Sequence, residues 1–163
     1  MKKQDFVQHL GLISRGAQEI IGAEELKNKI LSGKQLRVKF GADPTAPELH
    51  LGHTVVMEKL RVFQELGHKI IFIIGDFTAM IGDPSGRTAE RPVLTKKEIE
   101  KSIEGYEKQI YKVLKKDNIE IVRNSTWLKK LGAEGLIELA RHYTVARMLE
   151  RNDFEARYKN GNP

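Results

Sequence analysis

The run Lys69-Ile-Ile-Phe-Ile-Ile-Gly75 limits what this chain can fold into more than any other stretch. β-Branched side chains are stiff at χ1 and pack well on a pleated surface, so four isoleucines around one phenylalanine specify a strand. Because the run is apolar at every position rather than at alternate ones, it has the pattern of a central parallel strand covered on both faces. Gly67 before it and Gly75 after it bound the strand.

A second short run, Leu36 to Phe40, alternates as a half-buried strand does. Between the two, Leu51 to Leu66 carries Val55, Val56, Leu60 and Phe63 as an apolar stripe that Gly67 stops, so the order is strand, helix, strand. Phe6, Leu10 and Ile13, then Ile20, Leu26, Ile30 and Leu31, recur at helical spacing, with a break near Ser14 to Gly16 and a stop at Gly33. Two helices are therefore expected before the first strand.

Thr95 to Glu98 reads as a capping box that opens a long helix through about Lys115, buried along Ile99, Ile103, Tyr106, Ile110, Val113 and Leu114. A third strand, Ile119 to Arg123, follows, and from Trp127 the pattern is mostly helical. The fold class expected is α/β, a Rossmann-like parallel sheet flanked by helices. It divides into a helical lead-in over 1–34, a βαβ core over 35–126 and a helical segment over 127–163. Three strands are visible where doubly wound sheets have about five, so the chain reads as cut short.

Net charge is +6, which assists contact with a polyanion without requiring one. No cysteine occurs, which excludes a disulfide framework, a thiolate zinc site and a cysteine nucleophile. The longest wholly apolar run is far below the roughly 20 residues of a membrane span, and no apolar leader opens the chain, so a cytoplasmic protein without membrane contact is expected.

The chemistry is concentrated in Phe40 to His53, FGADPTAPELHLGH, within which Gly41 to Leu49 reads as the turn at the carboxyl end of the first strand. Open α/β sheets bind ligands there. Pro44 and Pro47 stiffen this loop, and Gly41 and Gly52 allow close approach of a ligand or a second backbone. His50 and His53, three residues apart on a first helical turn, share one face beside the helix's free N–H groups, a place suited to phosphate. A side chain at position 52 is expected to intrude on whatever the two imidazoles embrace. The second strand leads into GDFTAMIGDPSGR, Gly75 to Arg87, another glycine-rich segment on the same side of the sheet.

HxxH alone is weak evidence. A zinc protease needs further ligands and the glutamate of HExxH, which this chain lacks, so no protein-bound metal is expected. Neither GxGxxG nor GxxxxGK[ST] occurs, so a nucleotide must be held in another way. The alternative kept open is an ATP- or nucleic-acid-binding half-domain that performs no turnover.

PTAPELHLGH, Pro44 to His53, resembles the HIGH-type motif of class I aminoacyl-tRNA synthetases, placed between a strand and a helix as that motif is. GDFTAMIGDPSGR and the later YTVARMLERNDF, Tyr143 to Phe154, narrow the resemblance to bacterial-type tyrosyl-tRNA synthetases. It implies activation of tyrosine by ATP with Mg²⁺, transfer of the acyl group to tRNA(Tyr), and a homodimer formed partly by the helical tail through Leu136, Leu139 and Met148. It implies phosphate-directed roles for His50 and His53, and ATP contacts from Gly41, Pro44, Thr45, Gly52 and Arg87. Asp43, Thr78 and Asp83 would hold the amino acid, Asp83 by its α-ammonium, and Arg87 and Arg91 would meet pyrophosphate or tRNA. The family's KMSKS loop and anticodon-binding domain would lie beyond Pro163. Where many tyrosyl members place a tyrosine that hydrogen-bonds the substrate phenol, this chain has Lys39.

Overall fold

The structure is a computed structural model and describes residues 3–44, 48–81 and 95–161. Thr45, Asp83, Arg87 and Arg91, four of the site residues expected above, lie outside the described residues.

Three parallel strands form one sheet in the order β1 (Arg37–Ala42), β2 (Lys69–Ile74), β3 (Ile119–Arg123). Helices α1 (Lys3–Ser14) and α2 (Ala23–Leu31) precede it, as the helical spacing predicts. Helix α3 (Leu51–Glu65) joins β1 to β2, and α4 (Asp76–Ile81) and α5 (Lys96–Val113) join β2 to β3. After β3 come α6 (Ser125–Ala140), α7 (Val145–Leu149) and α8 (Asn152–Lys159).

The isoleucine run is the central strand. Ile70, Phe72 and Ile74 are fully buried against Met57 and Leu60 of α3 and Ile99, Ile103, Tyr106 and Ile110 of α5. Burying each large apolar side chain contributes about 1.5–3 kcal/mol, so this face carries most of the cohesion. The opposite face differs from expectation: Ile71 is buried but Ile73 is only half-buried, because the described helices cover that side incompletely.

Two further readings need correction. β1 does not end at Phe40, since Gly41 and Ala42 continue the parallel ladder opposite Ile73 and Ile74. Gly41 is thus strand rather than turn. In α3, Val55 is 72% exposed and Val56 39%, while Met57, Leu60 and Gln64 face inward. The phase is set by Gln64, whose amide nitrogen donates to the carbonyls of Lys115 and Asp117, both at 2.9 Å, and whose oxygen accepts the Lys115 N–H at 3.1 Å. A buried amide stitched to backbone in this way satisfies every polar group it brings in.

The capping box at Thr95 and Glu98 forms as the sequence implies, with Glu98 accepting from the Thr95 N–H at 2.8 Å. Those hydrogen bonds to Thr95 hold the Glu98 carboxyl below its ordinary range. Arg123 at the end of β3 donates from Nη1 to both carboxylate oxygens of Glu100, at 2.9 and 3.0 Å, tying α5 to the sheet.

His68, just before β2, is buried; its Nδ1 accepts the Leu36 N–H at 3.3 Å, and its Nε2 has no hydrogen-bond partner among the described residues. Burial, with a smaller contribution from nearby His9, lowers its pKa below 6.5. A lowered folded pKa means that the native state binds fewer protons than the unfolded chain, so His68's contribution is complete above 6.5 and is lost as pH falls through the lowered value. Urea midpoints measured across that window should fall on acidification, with a shallower slope in His68→Phe; equal slopes would contradict this account.

Candidate functional site

The carboxyl ends of all three strands carry polar residues that close on one another. The Gly75 N–H donates to the Ala42 carbonyl and the Asn124 N–H to the Ile74 carbonyl, both at 3.0 Å, so the ladder runs to the last residue of each strand. Asp43 follows β1, and the Thr78 hydroxyl of α4 donates to its Oδ1 at 2.7 Å. The side-chain amide of Asn124, which follows β3, donates to the Thr78 hydroxyl oxygen at 3.0 Å and accepts the Phe77 N–H at 2.9 Å. Beside them the buried Asp76 accepts from the Ser125 N–H at 2.9 Å and from the Ser125 hydroxyl at 2.6 Å.

Gly75 makes this closure possible. A β-carbon built there would lie 1.8 Å from Asp43 Oδ1 and 2.5 Å from the Thr78 hydroxyl oxygen. The carboxylate occupies the space that any other residue would fill. Asp43 makes no ion pair among the described residues, so a carboxylate held rigid by Thr78 is left to meet a cation.

The first loop is pinned separately. Pro44 is fully buried, the Leu49 N–H donates to the Gln109 side-chain oxygen of α5 at 2.8 Å, and the Tyr106 hydroxyl points at the Asp43 carbonyl from 3.5 Å. At the start of α3 the two histidines cap the helix and each other's backbone. His50 sits at the N-cap with extended backbone, its Nδ1 accepts the Gly52 N–H at 3.1 Å, and His53 Nδ1 accepts the His50 N–H at 3.2 Å. The rings lie 4.0 Å apart between centroids, tilted by 44°.

An imidazole nitrogen that accepts a hydrogen bond carries no proton, so in both neutral rings the proton sits on Nε2. The cap therefore selects the tautomer that leaves two Nε2–H donors, free of partners among the described residues, beside the helix N-terminus. Gly52 serves this cap: a β-carbon there would meet His50 Cε1 at 2.9 Å and Nδ1 at 3.0 Å. The collision is with the imidazole itself.

The structure thus brings Asp43 and Thr78 into one cluster, places His50, Gly52 and His53 in a second, and seats Pro44 between them in the chain. It adds Gly75, which the sequence marks only as a strand end, and Asp76, Asn124 and Ser125, which sequence reasoning did not single out. The available signal was position: Asp43, Asp76 and Asn124 each come one or two residues after a strand. Among the described residues no three of His, Cys, Asp or Glu converge as metal ligands would. A concavity of about 400 Å³ lies beside His50, bounded by Glu48, Met57, Gln109 and Lys112.

Residues 31–163 match the family of tRNA synthetases class I (W and Y). The chain belongs to that family. It is 57% identical over 155 residues to a tyrosine–tRNA ligase of Oleidesulfovibrio alaskensis, covering 95% of this chain and 39% of that protein. It is 56% identical over 156 residues to a tyrosine–tRNA ligase of Aquifex aeolicus, covering 96% of this chain and 40% of that one. The chain therefore spans about two fifths of the length of these relatives. Among solved structures, tyrosyl-tRNA synthetase from Archaeoglobus fulgidus, complexed with L-tyrosine, superposes with a TM-score of 0.72 at 27% identity, covering 88% of this chain and 42% of that one. A tryptophanyl-tRNA synthetase from Plasmodium falciparum shares the fold at a TM-score of 0.65 and 13% identity, over 91% of this chain and 41% of that one. The Rossmann-like α/β reading of the three parallel strands is that of this synthetase family.

The clash at Gly75 gives a direct test of the strand-end cluster. Gly75→Ala should destabilise the protein by about 1–3 kcal/mol in urea denaturation, as overpacking does. The loss should shrink in an Asp43→Ala background, because the colliding oxygens are gone. An equal loss in both backgrounds would mean that Asp43 does not occupy this space.

Proposed function

We propose that this chain is the catalytic portion of a tyrosyl-tRNA synthetase. In the first step a tyrosine carboxylate oxygen attacks the α-phosphorus of Mg²⁺-bound ATP, the bond to pyrophosphate breaks, and tyrosyl-adenylate forms. In the second a hydroxyl of the terminal ribose of tRNA(Tyr) attacks the acyl carbon and AMP leaves. The observation that carries this reading is the pair of Nε2–H donors that the reciprocal cap of His50 and His53 leaves free at a helix N-terminus.

Those donors are oriented before any ligand arrives. Donors fixed toward the charge that grows on phosphate oxygens stabilise the transition state without reorganising when it forms. In this reading Asp43, held by Thr78, shares the tyrosine ammonium with Asp83. Asp83, Thr45, Arg87 and Arg91 remain proposed for the roles that the resemblance implies. In this reading Gly41 and Pro44 shape the ATP side of the first loop, and the protein works in the cytoplasm. No helix among the described residues is long and apolar enough to cross a membrane.

A second copy of the chain is the proposed partner of the helical tail. Leu136, Ile137 and Leu139 are 59%, 70% and 56% exposed, and Met148 is 37% exposed, an apolar surface with no cover among the described residues. Sedimentation should give twice the chain mass, and half of that for Leu139→Asp; a single-chain mass at every concentration would oppose it.

Tyrosine-dependent exchange of pyrophosphate into ATP tests the activity. The full-length protein should exchange with tyrosine, and His53→Ala should lower kcat about 10²–10³-fold, the loss of one oriented donor. ATP binding without exchange would replace this reading with a nucleotide-binding module.

A further inference from the structure

The inward side of α5 is apolar along Ile99, Ile103, Tyr106 and Ile110, which pack into the core. Gln109, half-buried at the edge of this stripe, breaks the pattern. Its side-chain oxygen accepts the Leu49 N–H at 2.8 Å across sixty residues of chain. One turn earlier on the same helix, the Tyr106 hydroxyl points at the Asp43 carbonyl from 3.5 Å. Helix α5 therefore grips the first loop at both of its described ends.

Leu49 is fixed twice, by its N–H on Gln109 and by its side chain, which packs against the core. The next residue is His50, the N-cap of α3, whose backbone is extended at φ −94° and ψ 169°. The two bonds of the cap itself, Gly52 N–H to His50 Nδ1 at 3.1 Å and His50 N–H to His53 Nδ1 at 3.2 Å, are exposed and near the long end of the hydrogen-bond range. Water competes for bonds of that kind, so they contribute little to holding the chain that enters them. The Leu49 bond is shorter and part-buried. Of the three, it is the one that fixes where the His50 backbone starts. Without its acceptor, a part-buried N–H is left unmatched, and the loop relieves that cost by turning Leu49 toward water and drawing His50 off the cap.

We infer that Gln109 is a positioning residue for His50: by accepting the Leu49 N–H it sets the entry into α3, and with it the cap that keeps the His50 proton on Nε2. Gln109 and His50 also line the same concavity. The inference rests on the synthetase reading above, in which that Nε2–H is directed at phosphate.

The test joins tyrosine-dependent pyrophosphate exchange by the full-length protein to nuclear magnetic resonance of the His50 imidazole. Gln109→Met keeps the length of the side chain and removes the acceptor, and Gln109→Asn keeps the amide but withdraws it by one methylene. In both, kcat should fall about ten- to a hundredfold, as misplacing a group by roughly 1 Å does. KM for tyrosine should not move, because the donor acts on the transition state. The His50 ring should pass from the Nε2–H form to a mixture of both tautomers. In a His50→Ala background the same substitutions should leave kcat where His50→Ala alone puts it. An equal kcat loss in that background would overturn the inference, by showing that Gln109 does not act through His50. An unchanged kcat, a loss confined to KM, or a His50 ring that keeps its proton on Nε2 in both variants would overturn it too. If Gln109→Met does not fold, Gln109→Asn decides alone. No exchange by the unmodified protein with tyrosine would overturn both readings, whereas the other contrary results overturn this one alone.

Discussion

Everything at the ligand end of this sheet depends on a missing side chain. Gly75 ends the buried central strand, and the carboxylate of Asp43 lies where its β-carbon would be. With that space available, Thr78 and Asn124 complete a chain of hydrogen bonds that joins the ends of three strands far apart in sequence. Parallel strands place their carboxyl ends together, and the polar residues that follow them must find partners or water. Here they find one another, and the Asp43 carboxylate is left rigid and without a countercharge among the described residues.

The helix start shows the same economy. The N-terminus of α3 needs acceptors for its free N–H groups, and two imidazoles supply them. Because each ring spends Nδ1 on the backbone, the remaining proton has to sit on Nε2. Stabilising the helix and orienting the donors are therefore one interaction. Gly52 belongs to it, since a larger residue would push His50 off its cap.

What could be read from sequence was what is local in sequence. The isoleucine run as the central strand, the Thr95 and Glu98 cap and the bounds of β3 follow from period and neighbouring chemistry, and only the cover over the second face of the run falls short of the reading. The inner face of α3 does not follow, because Gln64 is drawn inward by carbonyls at Lys115 and Asp117, about fifty residues away. Gly75 looked like an ordinary strand terminator because Asp43, which needs its space, is distant in the chain. Gly52 was legible as a close approach, but its nearness to the His50 imidazole was not, since only the rotamer of His50 shows which atoms come near. Asn124 gave no signal in the sequence because its partners, Phe77 and Thr78, lie on α4, far away in the chain.

The account's central claim is that the capped histidines and the strand-end cluster are two halves of one preformed site. Titrating the full-length protein with a non-reactive mimic of tyrosyl-adenylate, while following the imidazole nitrogens and backbone amides by nuclear magnetic resonance, tests it most directly. The account predicts that Nε2 of His50 and His53 and the amides of Gly75, Thr78 and Asn124 shift together with a single affinity, and that both rings already carry their proton on Nε2 before the mimic is added. Shifts confined to α6 through α8, or imidazoles protonated on Nδ1 in the free protein, would contradict it.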